Sequence, residues 1–150
     1  MKGRTYRYFD GKPLYPFGYG LSYSTFAYKN LKLSSSKLND GDSLTAEADV
    51  TNTSNAAGDE VVQLYLGFPA VAGAPLRALR GFTRVHLAPG ATQHVTLTLR
   101  DRDLSMVNEA GYHIVAPGSY RIWLGGSQPI PGANVLQSQF AITDELKLPD

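Results

Sequence analysis

From Leu44 to Thr51 the side chains alternate without a break: Leu44, Ala46, Ala48 and Val50 on one face, Thr45, Glu47, Asp49 and Thr51 on the other. A period of two lines one side of an extended strand with apolar groups, whereas a helix would scatter them round its surface. The same grammar recurs along the chain. Leu31 and Leu33 flank Lys32, and residues 60–68 (EVVQLYLGF) set Val62, Leu64 and Leu66 on one side. Further runs cover 78–87, 92–100, 103–107, 112–115, 119–124 and 135–142.

Turn signals separate these runs. They are Asn39-Asp40-Gly41-Asp42, the polar stretch Asn52 to Asp59, a Gly/Ala/Pro-rich loop at 69–76, Ala88-Pro89-Gly90 and Asn108-Glu109-Ala110-Gly111. The runs at 78–87 and 92–100 read as a hairpin across Ala88-Pro89-Gly90, and 103–107 with 112–115 as a second. About seven short strands without a helical stripe predict an all-β, immunoglobulin-like sandwich. A chain of 150 residues suffices for one such domain. Pro117-Gly118-Ser119-Tyr120 places a tyrosine just inside a late strand, where such sandwiches carry a tyrosine corner. An ordinary half-buried tyrosine fits the motif equally well; the strand count favours the corner. Val50, Leu64, Leu66, Leu97, Tyr120, Trp123 and Phe140 are the expected core.

The first 28 residues follow another rule. They hold nine of the chain's sixteen aromatic side chains, interleaved with Gly11, Pro13, Pro16, Gly18 and Gly20. Such a segment cannot easily bury its rings against itself and needs a surface to lie on. Residues 1–27 therefore read as an extended arm and 28–150 as the sandwich. Tyr15, Phe17, Tyr19, Tyr23 and Phe26 are the expected docking residues, since aromatic rings carry much of the energy of interfaces. An arm without a partner is expected to be mobile, clipped, or packed on a second copy of the chain; exposed rings that stack on sugar remain an alternative.

Several function classes lack support. The arm carries a net charge of +3 and the remainder −2, far from the basic face that nucleic acid requires. No apolar run approaches the roughly 20 residues that span a bilayer, and MKGRTYRYFD has no apolar segment of a signal peptide. The compartment stays open, and the absence of cysteine removes disulfides and thiolate metal sites without deciding it. Glycoside hydrolysis needs two carboxyl groups about 5–9.5 Å apart, but the acidic residues cluster at turns, where they are usually solvated. His86, His94 and His113 lie on three separate runs without the close ligand spacing of a zinc site. No nucleophile elbow or phosphate loop is present. Asn52-Thr53-Ser54 satisfies the glycosylation sequon. No cofactor, metal or catalytic residue is expected.

Longer motifs carry a resemblance. GRTYRYF (3–9) followed by LYPFGYGLSYSTF (14–26) resembles the segment leading into the C-terminal domain of glycoside hydrolase family 3 enzymes. GDEVVQLYL (58–66), PLRALRGFTRVHLAPG (75–90) and the stretch from Asp103-Leu104-Ser105 to Pro117-Gly118-Ser119-Tyr120 are similar, in order, to that family's fibronectin type III-like domain. The family commonly has lysine where this chain has Arg77 and Arg80, which keeps charge but changes hydrogen-bond geometry.

The resemblance implies a parent enzyme of the retaining β-glucosidase or β-xylosidase type. Its nucleophile aspartate belongs to an N-terminal barrel and its acid/base glutamate usually to a following α/β domain, so no residue here inherits a catalytic role. The implied role is that of a non-catalytic accessory domain whose arm lies across the α/β domain. The barrel and α/β domains are then the implied partners, with self-association through the arm as another outcome. A freestanding carbohydrate- or surface-binding module is the alternative.

Overall fold

The computed structural model describes residues 5–17, 24–39 and 41–149. A single helical turn, α1 (Thr5–Tyr8), precedes the strands β1 (Phe26–Leu33), β2 (Lys37–Leu38), β3 (Leu44–Asn52), β4 (Gly58–Gly67), β5 (Ala78–Leu87) and β6 (Thr92–Leu99). After α2 (Asp101–Leu104) come β7 (Met106–Val107), β8 (His113–Val115), β9 (Gly118–Gly125), β10 (Val135–Ile142) and β11 (Leu146–Lys147). One sheet has the order β1-β3-β6, a second β2-β10-β9-β4-β5, and a small third β11-β8-β7. The first two face each other across one hydrophobic core, which makes the domain an all-β, fibronectin type III-like sandwich with sheets that do not close into a barrel.

Alternation decides which side chains fill that core. Leu44, Ala46, Ala48 and Val50 of β3 are fully buried, opposite Leu64 and Leu66 of β4 and Tyr120, Ile122 and Leu124 of β9. Val50, Leu64, Leu66, Tyr120 and Phe140 are core residues as expected, and Leu97 packs partly buried at its edge. Trp123 is not in the core. It sits between Ile122 and Leu124, so a period of two sends it to the opposite face from Tyr120, where it is only partly covered.

The turn at Ala88-Pro89-Gly90 is not a hairpin. β5 pairs with β4 and β6 with β3, so this turn carries the chain from one sheet to the other. Asn52, fully buried at the end of β3, splints the corner. Its backbone N–H donates to Ala91 O at 3.0 Å and its side-chain amide to Leu87 O and Ala56 O, each at 2.9 Å. The sequon asparagine is therefore spent on holding two loops, with no room for a glycan. The expected strand 103–107 is also shorter. Residues 101–104 form a helical turn, begun where Arg100 N–H donates to Asp103 Oδ2 at 2.9 Å, and only Met106 and Val107 pair, antiparallel, with β8.

One ionisable pair lies at the margin of the core. The Tyr28 hydroxyl donates to Glu60 Oε1 at 2.7 Å. Burial holds the Glu60 carboxyl above its usual range, against the opposing pull of that hydrogen bond. A raised folded pKa means a contribution to stability that is full below the unfolded value of about 4.3 and lost as pH rises through the folded one. Glu60→Gln is thus expected to gain stability relative to the parent between about pH 4 and pH 7. Urea midpoints at both ends of that interval check it; a parent that gains on the variant would contradict it.

Candidate functional site

The arm meets the sandwich along the outer face of β4. The run Val62–Gly67 is buried at every position, on both faces of its sheet. Val62, Leu64 and Leu66 point inward, while Gln63 and Tyr65 point outward and are still covered. Part of the cover is Tyr6 of α1, whose ring meets Tyr65 edge-on at 6.2 Å and stacks on Phe17 at 4.4 Å with an interplanar angle of 14°. These are favourable aromatic geometries, worth about 0.5–1.5 kcal/mol each beyond burial.

Hydrogen bonds secure the contact. Phe17 N–H donates to Gln128 Oε1 and Gln128 N–H donates back to Phe17 O, both at 2.9 Å. Leu76 N–H donates to Arg7 O at 2.8 Å, and Leu79 N–H to the Tyr6 hydroxyl at 3.1 Å. Beneath them the Tyr65 hydroxyl donates to Gln63 Oε1 at 2.6 Å, and Gln63 Nε2 to Gly126 O at 2.9 Å. Both polar atoms of the buried Gln63 amide, and the Oε1 of Gln128, thereby have partners, as interior polar groups must. Burial, and secondarily Tyr6, pushes the Tyr65 phenol far above its usual range, which keeps it a donor.

The arm thus finds part of its surface on its own domain, which the expectation of a purely foreign surface did not include. Its other side stays open. Leu14 is 91% exposed, Tyr15 68%, Phe17 47% and Phe9 37%. Between α1 and these rings runs a groove of about 570 Å³, lined by Tyr6, Phe9, Pro13, Tyr15, Phe17 and Gln128 among others.

The five expected docking residues fare differently. Tyr15 and Phe17 come together on this groove, while Tyr19 and Tyr23 lie outside the described residues. Phe26 opens β1 and is a core residue at 9% exposure, so the sandwich begins two residues before the expected boundary and Phe26 faces inward. Sequence reasoning missed Tyr65, Gln63 and Gln128 as the seat of the arm. The available signal was the unbroken apolar run around Gln63, which implies a strand covered on both sides.

Arg77 and Arg80 act as splices between loops. Arg77 Nη1 donates to Pro129 O at 3.0 Å and Arg80 Nη2 to Ser105 O at 2.6 Å. The Arg80 guanidinium also lies 5.3 Å from the Phe68 ring centroid, and its Nε is buried without a partner among the described residues. Burial and then Arg7 lower its pKa. His86, His94 and His113 stay on β5, β6 and β8, and no metal-sized group of His, Asp and Glu forms among the described residues. Asp59 is held below the usual carboxylate range by Arg84 and then His86, and Asp49 by Asn30 and then His94. These are surface pairs rather than raised carboxyl acids poised in a cleft. No described helix is long and apolar enough to cross a membrane.

Comparison with known proteins agrees with this architecture. Residues 60–128 match the family model described as "Fibronectin type III-like domain". The "Probable beta-glucosidase D" of Aspergillus niger is 42% identical, over 81% of this chain and 19% of its own length. The "Periplasmic beta-glucosidase" of Salmonella typhimurium is 36% identical, over 92% of this chain and 18% of its own. A solved structure of β-glucosidase 3B from Thermotoga neapolitana with glucose superimposes with a TM-score of 0.82 at 32% identity, covering 97% of this chain and 19% of that one. The chain spans about a fifth of the length of these relatives.

Proposed function

Since the chain belongs to the fibronectin type III-like domains of glycoside hydrolase family 3 β-glucosidases and β-xylosidases, we propose that it serves as a non-catalytic brace for the catalytic domains of such an enzyme. The observation that carries this reading is the two-sided arm. One side is clamped to β4 by Tyr6 and the reciprocal Phe17–Gln128 bonds, and the other presents Phe9, Leu14, Tyr15 and Phe17. Clamping fixes the rings before they meet a partner, which lowers the entropy cost of association. Burying each ring contributes roughly 1.5–3 kcal/mol, so three or four together hold a neighbouring domain firmly. The neighbour is the α/β domain, with the barrel beyond it, and the hydrolysis of β-glycosidic bonds belongs to those domains. The reading of the arm as a sugar-stacking platform has less support, because Tyr6 and Phe17 spend a face on each other.

The test is a chimera in which this chain replaces the matching C-terminal fifth of the Aspergillus niger relative. It is expected to hydrolyse an aryl β-glucoside. Changing Leu14, Tyr15 and Phe17 together to serine should lower its melting temperature and shorten its active half-life on warming. A triple variant as durable as the unaltered chimera would sink the brace.

A further inference from the structure

The outer face of β9 and β10, beside the seat of the arm, carries a second feature: Trp123 stands opposite Tyr65 in the β4–β9 register. Trp123, the chain's single tryptophan, lies there with its ring over Gly67 of β4. A Cβ at Gly67 would stand 2.7 Å from Cζ3 and 2.8 Å from Cη2 of the indole, so the absent side chain is the ring's seat. The indole N–H donates to Gln137 Oε1 at 3.0 Å. Ring position and ring rotation are therefore both set in advance.

Cross-strand register adds three more groups. Gln137 stands opposite Trp123, and Gln139 opposite Arg121. The two pairs are spaced by two residues along the strands, about 6.7 Å, and the strands by about 4.8 Å. Two grooves of about 430 and 460 Å³ meet at Trp123, Arg121 and Leu76, walled by Val71 on one side and Ile130 on the other. Among the described residues no acidic side chain lines either groove. Among the described residues no hydrogen bond or ion pair holds the Arg121 guanidinium, which is exposed.

We infer that this face is a binding site for an extended glycan chain, with an acidic sugar preferred at Arg121. A pyranose has one apolar C–H face and a rim of hydroxyls, which suits a pre-set indole flanked by planar amides. The next sugar then lies over Arg121 and Gln139, where a uronate finds a bidentate guanidinium and no competing carboxylate. A ring fixed before binding loses little entropy when a ligand covers it. The assignment does not rest on the arm bracing a catalytic domain, although Leu76 touches both the arm and this face.

The single tryptophan makes the test direct, because fluorescence excited at the red edge, where only the indole absorbs and not the nine tyrosines, reports this face alone. Titration with glucuronic-acid-substituted xylo-oligosaccharides is expected to give a saturable change, with unsubstituted xylo-oligosaccharides binding more weakly. Arg121→Ala should erase the difference between the two, and Gln139→Ala should weaken both by roughly tenfold. Both positions are exposed, so neither change threatens the fold. Trp123→Ala, followed by calorimetry, should abolish binding, and Trp123→Tyr should restore part of it. Equal affinity for acidic and neutral oligosaccharides overturns the acidic-sugar assignment. No response to either sugar overturns the site, as does a response to poly-glutamate alone, which would give the face to a protein partner.

Discussion

Urea denaturation of Tyr120→Ala is expected to show a loss of about 3–5 kcal/mol, the range for removing a large ring from a packed core. Tyr120 is fully buried, stacks on Phe140 at 5.2 Å and 19°, and meets Phe68 edge-on at 6.0 Å. Its hydroxyl donates to Ala116 O at 2.7 Å, the tie that pins the start of β9 to the end of β8. Burial pushes its phenol up to about 12, so it remains a donor throughout the working pH range. A domain of this size has about 5–15 kcal/mol in all, so this one ring accounts for a large share of it. Tyr120→Phe keeps the ring and removes only the tie. It should cost about 1–3 kcal/mol, the cost of leaving a buried carbonyl without its donor. A phenylalanine variant as stable as the parent would show the tie to be inert.

A change of one methyl group should rival that effect. Gly118, at the first residue of β9, has φ of 138°, a region that side chains rarely enter. A Cβ there would stand 2.8 Å from Pro69 Cβ, so the neighbouring loop would also have to move. Backbone strain and overpacking each cost about 1–3 kcal/mol, and Gly118→Ala should lose the sum of the two. The same substitution at Gly132, also at positive φ but with nothing within 4 Å, should lose only the strain. Equal losses at the two positions would mean that contact with Pro69 contributes nothing. The comparison matters for function because Pro69 and Ser119 line the same groove as Trp123.

Much of the sandwich was legible because strand alternation is a local property. Each face of β3 and β9 is dictated by a period of two, and the structure reproduces it residue by residue. The same rule would have kept Trp123 out of the core, since it cannot share a face with Tyr120. The turn at Ala88-Pro89-Gly90 was legible only as a turn. Proline and glycine mark a reversal of direction, but whether the strand beyond it pairs with its predecessor depends on what else is near. Here Asn52, 36 residues before Ala88, captures the corner and sends β6 to β3.

The candidate site divides in the same way. Composition alone identified an aromatic arm that must lie on something, because rings interleaved with glycine and proline cannot all bury one another: Tyr6 and Phe17 stack, but Phe9 and Tyr15 stay exposed. Its residues also carried the family resemblance, which depends on order along the chain and not on contacts. What the arm lies on was beyond the reach of sequence. Tyr6 finds Tyr65, and Phe17 finds Gln128, across separations that no local pattern encodes. Phe26 and Phe17 are equivalent as composition, yet one opens a core strand and the other caps an open groove. Period and residue type determined the strands and their inward faces. Only the packing of distant segments decided which rings were left facing outward.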